Sequence, residues 1–199
     1  IFLSSDLVIY RLFTNKSIIN LHLFLNNVCP KYMDFPSVNL KWYEILQGAT
    51  TGVLREVESM RSNIKWGHGY KSNQYNKWGQ TISGSLCEMA LAKKFSNYFT
   101  HSVNNYHGKD IFINKKPVQV KSQLHTKVEK YLTIRPNFQP EDYYFLVIDD
   151  MPTFYVCGYI QAKDCQKYGI WTNQNIPDRP HFWKIPLNKL KPLEEFKNE

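Results

Sequence analysis

The sequence predicts an α/β fold: a central mixed sheet of four or five strands flanked by helices. Three stretches predict it. Residues 109–122 read as two β-branched runs around a polar turn, the signature of a hairpin. Residues 143–148 are almost continuously apolar, which suits a strand covered on both faces. Residues 83–95 space their apolar side chains as a helix does.

Length and composition bound the rest. A chain of 199 residues is expected to form one domain, and 43% hydrophobic residues supply a real core. The net charge is +8, with a pI near 9.2. Such a balance favours an anionic partner, nucleic acid first and an acidic membrane surface second. A basic protein kept soluble by its charge is the plainer alternative. Cys29, Cys87, Cys157 and Cys165 contain no C-x-x-C pair, so they read as free thiols rather than a zinc site. Free thiols fit a reducing, intracellular location. No apolar run is long enough to span a bilayer, and the opening residues lack the basic start of a signal peptide.

In chain order, residues 1–32 carry few charges and no clear amphipathic period. Composition shifts at Met33, which marks 1–32 as an upstream or accessory extension and 33–199 as the domain. Helical patterns follow over 38–46 and 49–62. Gly48 and Gly52 weaken their join. Val53, Leu54, Val57 and Met60 recur at helical spacing opposite Arg55, Glu56, Glu58 and Arg61, as in a structural helix.

Residues 65–80 read as a loop in which Lys65, Lys71 and Lys77 interleave with Trp66, Tyr70, Tyr75 and Trp78. Cations can meet phosphates and rings can stack on bases, so this loop is a candidate nucleic-acid contact. A surface loop pinned by its tryptophans would look the same. In the next helix, Ser85 and Glu88 fit a capping box. Yet Leu91, Ala92, Phe95 and Phe99 follow Glu88 on its own side, which turns Glu88 toward packed structure. Both readings stay open.

Residues 99–104 read as a strand, before a turn at 105–108. In the hairpin, a Lys115-Lys116 loop would set Asn114 across from Pro117 and Asp110 across from Lys121. Alternation then puts Asp110, Gln119 and Lys121 on one face, and Ile111, Ile113, Val118 and Val120 on the core face. Charges beside an apolar sheet are costly unless compensated, and a divalent cation would compensate them. Strands are expected at 131–135, 143–148 and 153–160. A short helix follows at 162–168, a loop at 172–181, an edge strand at 182–185 and a helical turn at 187–190. His68, His101, His107, His125 and His181 lack the helical H-x-x-x-H spacing of zinc hydrolases. Cys87 has no partner base in sequence and reads as a packed thiol.

Glu88 on a helix, Asp110 opening a hairpin, then Gln119-Val120-Lys121-Ser122 on its second strand: over 82–196 this order resembles the PD-(D/E)XK nuclease superfamily, including small phage and prophage proteins of that type. The resemblance implies a restriction-endonuclease-like core and Mg²⁺-dependent hydrolysis of DNA, with Mn²⁺ as a substitute. DNA is favoured over RNA, in endo or exo mode, and junctions or branches are candidate substrates. Asp110, Gln119, the Val120 carbonyl and Glu88 would hold the metal. Lys121 would orient the attacking water and stabilise charge on the phosphate. Ser122, Gln123, His125 and Arg135 would contact the nucleic acid. A phage-encoded chain would act in the host cytoplasm, and many such nucleases work as homodimers. Gln119 departs from the usual Asp or Glu, which opens a second reading: a nuclease-fold DNA-binding or assembly protein that no longer cuts.

Overall fold

The computed structural model describes residues 34–63, 74–103 and 109–198. Chain order is β1 (Ser37–Asn39), α1 (Trp42–Arg61), α2 (Gln74–Lys94), β2 (Ile111–Ile113), β3 (Lys116–Leu124), β4 (Tyr131–Ile134), β5 (Tyr143–Asp150) and β6 (Thr153–Gln161). A 3₁₀ turn then leads into α3 (Cys165–Tyr168), followed by β7 (Ile170–Thr172), β8 (Phe182–Pro186) and α4 (Leu193–Asn198).

The main sheet has five strands in the order β1-β6-β5-β3-β2. β3 and β5 run parallel, and the other neighbours are antiparallel. The predicted mixed α/β sheet is present. β5 lies at its centre and explains its own sequence. Phe145 and Val147 enter one core with Leu86, Leu91, Val118, Val120 and Phe196, under α2 and α4. Tyr144, Leu146 and Ile148 enter a second core with Leu132, Ile134, Ile160 and Ile185. A strand with cores on both faces reads as a nearly continuous apolar run, broken here only by Asp149 and Asp150 at its end.

That second core corrects the expected flanking by helices. One face is covered mainly by a small antiparallel sheet, β4-β8-β7. Parallel neighbours need a long crossover, and here the chain from β3 to β5 makes it through β4 rather than a helix. β8 is the middle strand of this sheet, not an edge, because the short β7 pairs beside it.

Several boundaries also differ from expectation. Residues 37–39 pair with β6, and the helix expected over 38–46 starts only at Trp42. There the Lys41 N–H donates to the Glu44 carboxylate at 2.6 Å, which satisfies a donor at the helix start. The described part of 99–104 forms no strand. Phe99 is buried, but His101 has φ 51°, which ends an extended run. α2 begins at Gln74, so 74–80 is helix rather than loop. Ser85 therefore sits mid-helix, where no capping box can form, and its hydroxyl is buried without a partner. Lys65, Lys71 and the rest of 64–73 lie outside the described residues, as do 1–33 and 104–108.

α1 inverts its expected polarity. Its buried residues are Gly48, Thr51, Gly52 and Glu56. Trp42, Leu46, Leu54, Val57 and Met60 face outward, with Trp42 76% exposed. The two glycines explain the choice. A Cβ on Gly52 would lie 2.6 Å from the Ile82 Cα, and one on Gly48 would lie 2.8 Å from Leu86. Only bare backbone lets α1 approach α2 so closely. The small, polar stripe is thus the one that packs.

Candidate active site

The hairpin sets the first two members. Its turn is Asn114-Lys115, both at positive φ, with Ile111 across from Val118 and Ile113 across from Lys116. The expected Lys115-Lys116 loop is corrected by two residues in register. A two-residue turn of this kind needs positive φ at both central positions, and Asn tolerates it better than most residues. A shift of two keeps every side chain on its predicted face. Ile111, Ile113, Val118 and Val120 accordingly share the helix-side core.

β2 starts at Ile111, and among the described residues no strand pairs with β3 beyond that point. Asp110 fills the gap. Its N–H donates to the Val118 carbonyl at 3.1 Å, and its Oδ2 accepts the Val120 N–H at 2.6 Å. An extended residue turns its N–H and C=O to the same edge, so the Val120 carbonyl also points past the end of β2. Lys109, next to Asp110, is held by a 2.6 Å ion pair to the buried Asp142.

Glu88 reaches the same region from α2. It is 6% exposed. Arg55 of α1 grips it with two bonds, Nη1 to Oε1 at 2.8 Å and Nη2 to Oε2 at 2.9 Å. The remaining guanidinium nitrogen, Nε, donates to the Ser102 carbonyl at 2.8 Å. Such a planar fork fixes the carboxylate's orientation. Arg55 follows Gly52 by three residues and Gly48 by seven, so the close helix crossing aims it at α2.

Lys121, on the opposite face of β3 from Val120, lays its ammonium 5.4 Å from the centre of the Tyr144 ring. Tyr144 neighbours Gln119 across the parallel pair.

The charges feel one another. Burial, and then the Asp110 charge, push Glu88 up to about 7 despite Arg55 and Lys121. Burial also raises Asp110 above its ordinary range, against the pull of Lys121, the Val120 N–H and Arg55. Burial lowers Lys121, with Arg135 adding to the effect while Asp110 and Glu88 resist it. Arg55 goes up, because the Glu88 bond and charge outweigh its burial. Tyr144 is pushed up to about 12 by burial and by Asp142 and Asp110. Glu88, Asp110 and Lys121, distant in sequence, therefore influence one another's charge together with Arg55, and the Arg135 charge is felt at Lys121. Sequence reasoning missed Arg55. Its signal was the Gly48/Gly52 pair, which marks a close helix crossing.

The other predicted contacts scatter. Lys77 is in the first turns of α2. Ser122 and Gln123 lie at the end of β3, and the Gln123 Oε1 accepts the Tyr131 N–H at 3.2 Å. The His125 N–H donates to the Asp149 carbonyl at 2.9 Å, and its ring lies 3.4 Å from Asp150. That acidic setting is unlike a phosphate contact. Cys87, Cys157 and Cys165 are buried free thiols.

Among the described residues, no three His, Cys, Asp or Glu side chains form a metal-ligating group. The donor set still fits magnesium, which takes hard oxygens and keeps several waters. Both carboxyls are raised chiefly by burial, and a bound cation would favour their charged forms. No family model, curated protein or solved structure matches this chain.

Proposed function

We propose that this protein is a Mg²⁺-dependent nuclease of the PD-(D/E)XK type, with a restriction-endonuclease-like core, that hydrolyses phosphodiester bonds in DNA. The observation that carries the reading is the Asp110 carboxylate, held on the Val120 N–H beside Lys121, with the buried Glu88 near enough to feel both charges. Asp110, the Val120 carbonyl and the Gln119 amide oxygen would hold the metal. Bound magnesium would supply polarisation of the phosphate and a more acidic water.

The chain's own groups do the rest. Glu88, fixed by Arg55 and held near 7, suits a group that takes a proton from water at neutral pH. Because Arg55 engages both Glu88 oxygens, Glu88 acts on the water rather than as an inner ligand. Lys121, desolvated on Tyr144, orients the nucleophile and meets charge developing on the phosphate. Arg135, whose charge reaches Lys121, would clamp a neighbouring phosphate. Incubation of plasmid DNA with Mg²⁺ and with EDTA tests the proposal. Metal-dependent nicking supports it, and intact DNA under both conditions refutes it.

One observation favours a DNA-binding protein that does not cut. Two acids meet two bases in Glu88, Asp110, Arg55 and Lys121, so the group balances its own formal charge without a metal. Salt-dependent DNA binding without cleavage would select that reading.

A further inference from the structure

A cavity of about 740 Å³ opens where the N-terminal half of α2 overhangs the carboxyl end of β3. Asn76, Gln80 and Ser83 line it from the helix, and Ser122 and Gln123 from the strand. Ser122 follows Lys121 by one strand rise of about 3.3 Å, on the helix-facing side, and Gln123 returns to the face of the proposed catalytic lysine, so the cavity adjoins that lysine along β3. It also lies at the carboxyl end of a strand in a parallel pair, the usual position for ligands in open α/β sheets.

Its chemistry differs from a phosphate site. Most of the lining residues carry hydroxyls or carboxamides, and among the described residues the one cation lining it, Lys127, lies 3.8 Å over the Tyr131 ring. Phosphates call for arginine and lysine, whereas Asn and Gln match the donor and acceptor edges of bases. The wall also contains Gly79, inside a helix, where glycine costs about 1 kcal/mol relative to alanine. No described atom lies within 4 Å of a Cβ built there, so packing does not require the glycine. The position leaves the cavity open.

We infer that this cavity receives one unpaired nucleobase of DNA next to the cleaved bond. A base still stacked in a duplex cannot enter a recess between a helix and a strand end, so the substrate must present an unpaired or extruded nucleotide. This rests on the nuclease reading for its cleavage consequence, though not for binding.

The test uses anisotropy in EDTA with two labelled probes, a paired duplex and the same duplex carrying one unpaired nucleotide. The full chain binds the second about tenfold or more tightly. Gly79→Phe, which grows into the open cavity, abolishes that preference while leaving the melting temperature and paired-duplex affinity unchanged. Should Gly79→Phe fold poorly, Asn76→Ala/Gln80→Ala carries the same test by removing the amides, and loss of the preference is again expected. Equal affinity for both probes, no binding to either, or a preference that survives the well-folded variants would overturn the inference. Discrimination in EDTA by a chain that never cuts with Mg²⁺ would sink the nuclease reading and leave the pocket standing.

Discussion

Arg55 and Glu88 decide most at the scale of single residues. Glu88 has an ordinary value of 4.5 and sits near 7 in the fold, so between those values the folded chain binds more protons than the unfolded one. Stability must therefore fall as pH rises through that window, and the cost is fully present above 7. Asp110 is shifted in the same direction. Melting temperatures in EDTA are expected to be higher near pH 5 than near pH 8 as far as this pair contributes. Magnesium is expected to narrow the gap by stabilising the charged forms. A melting temperature that rises between pH 5 and 8 in both Glu88 and Glu88→Gln chains would speak against it. Removing Arg55 strands a buried carboxylate. Arg55→Ala is expected to destabilise by about 3 kcal/mol at pH 8, and by less at pH 5, where Glu88 takes up a proton. Equal losses at both pH values would show that Glu88 does not titrate as described.

Single elements show where the sequence was legible and where it was not. The hairpin faces could be read because strand alternation survives a register error of two, so the core set Ile111, Ile113, Val118 and Val120 is as expected. The turn itself depended on backbone φ at Asn114 and Lys115, which periodicity does not encode. α1 was read with its polarity reversed. A helical period marks two stripes and does not say which one packs. The deciding feature was the close approach at Gly48 and Gly52. Gly52→Ala is accordingly expected to destabilise by about 2 kcal/mol or more, since its Cβ would collide with α2 backbone. Leu54→Ser, on the outward stripe, is expected to change stability by no more than about 0.5 kcal/mol. Denaturant midpoints measure both, and the reverse ranking would contradict the assigned faces.

Across the whole molecule, the sheet brings together groups that sequence distance keeps apart. The continuous apolar run of β5 announced a strand with two covered faces, but not that a second sheet would cover one of them. Strands 131–134 and 182–186 were each visible, while their partnership was not, because cross-strand pairing leaves no local pattern. The mixed five-strand order places Asp110 at the start of a three-residue edge strand, with Glu88 brought from a helix and Lys121 from the neighbouring strand. Ser102, with Arg55, ties the segment after α2 to α1 on the same side.

The most direct measurement is nicking of supercoiled DNA in Mg²⁺ by the full chain beside Asp110→Ala and Lys121→Ala, each confirmed folded by its melting transition. Cutting by the parent chain, lost in EDTA and reduced at least a hundredfold in both variants, is the predicted result. Cutting that persists in the two variants, or a parent chain that leaves the DNA intact, would contradict it.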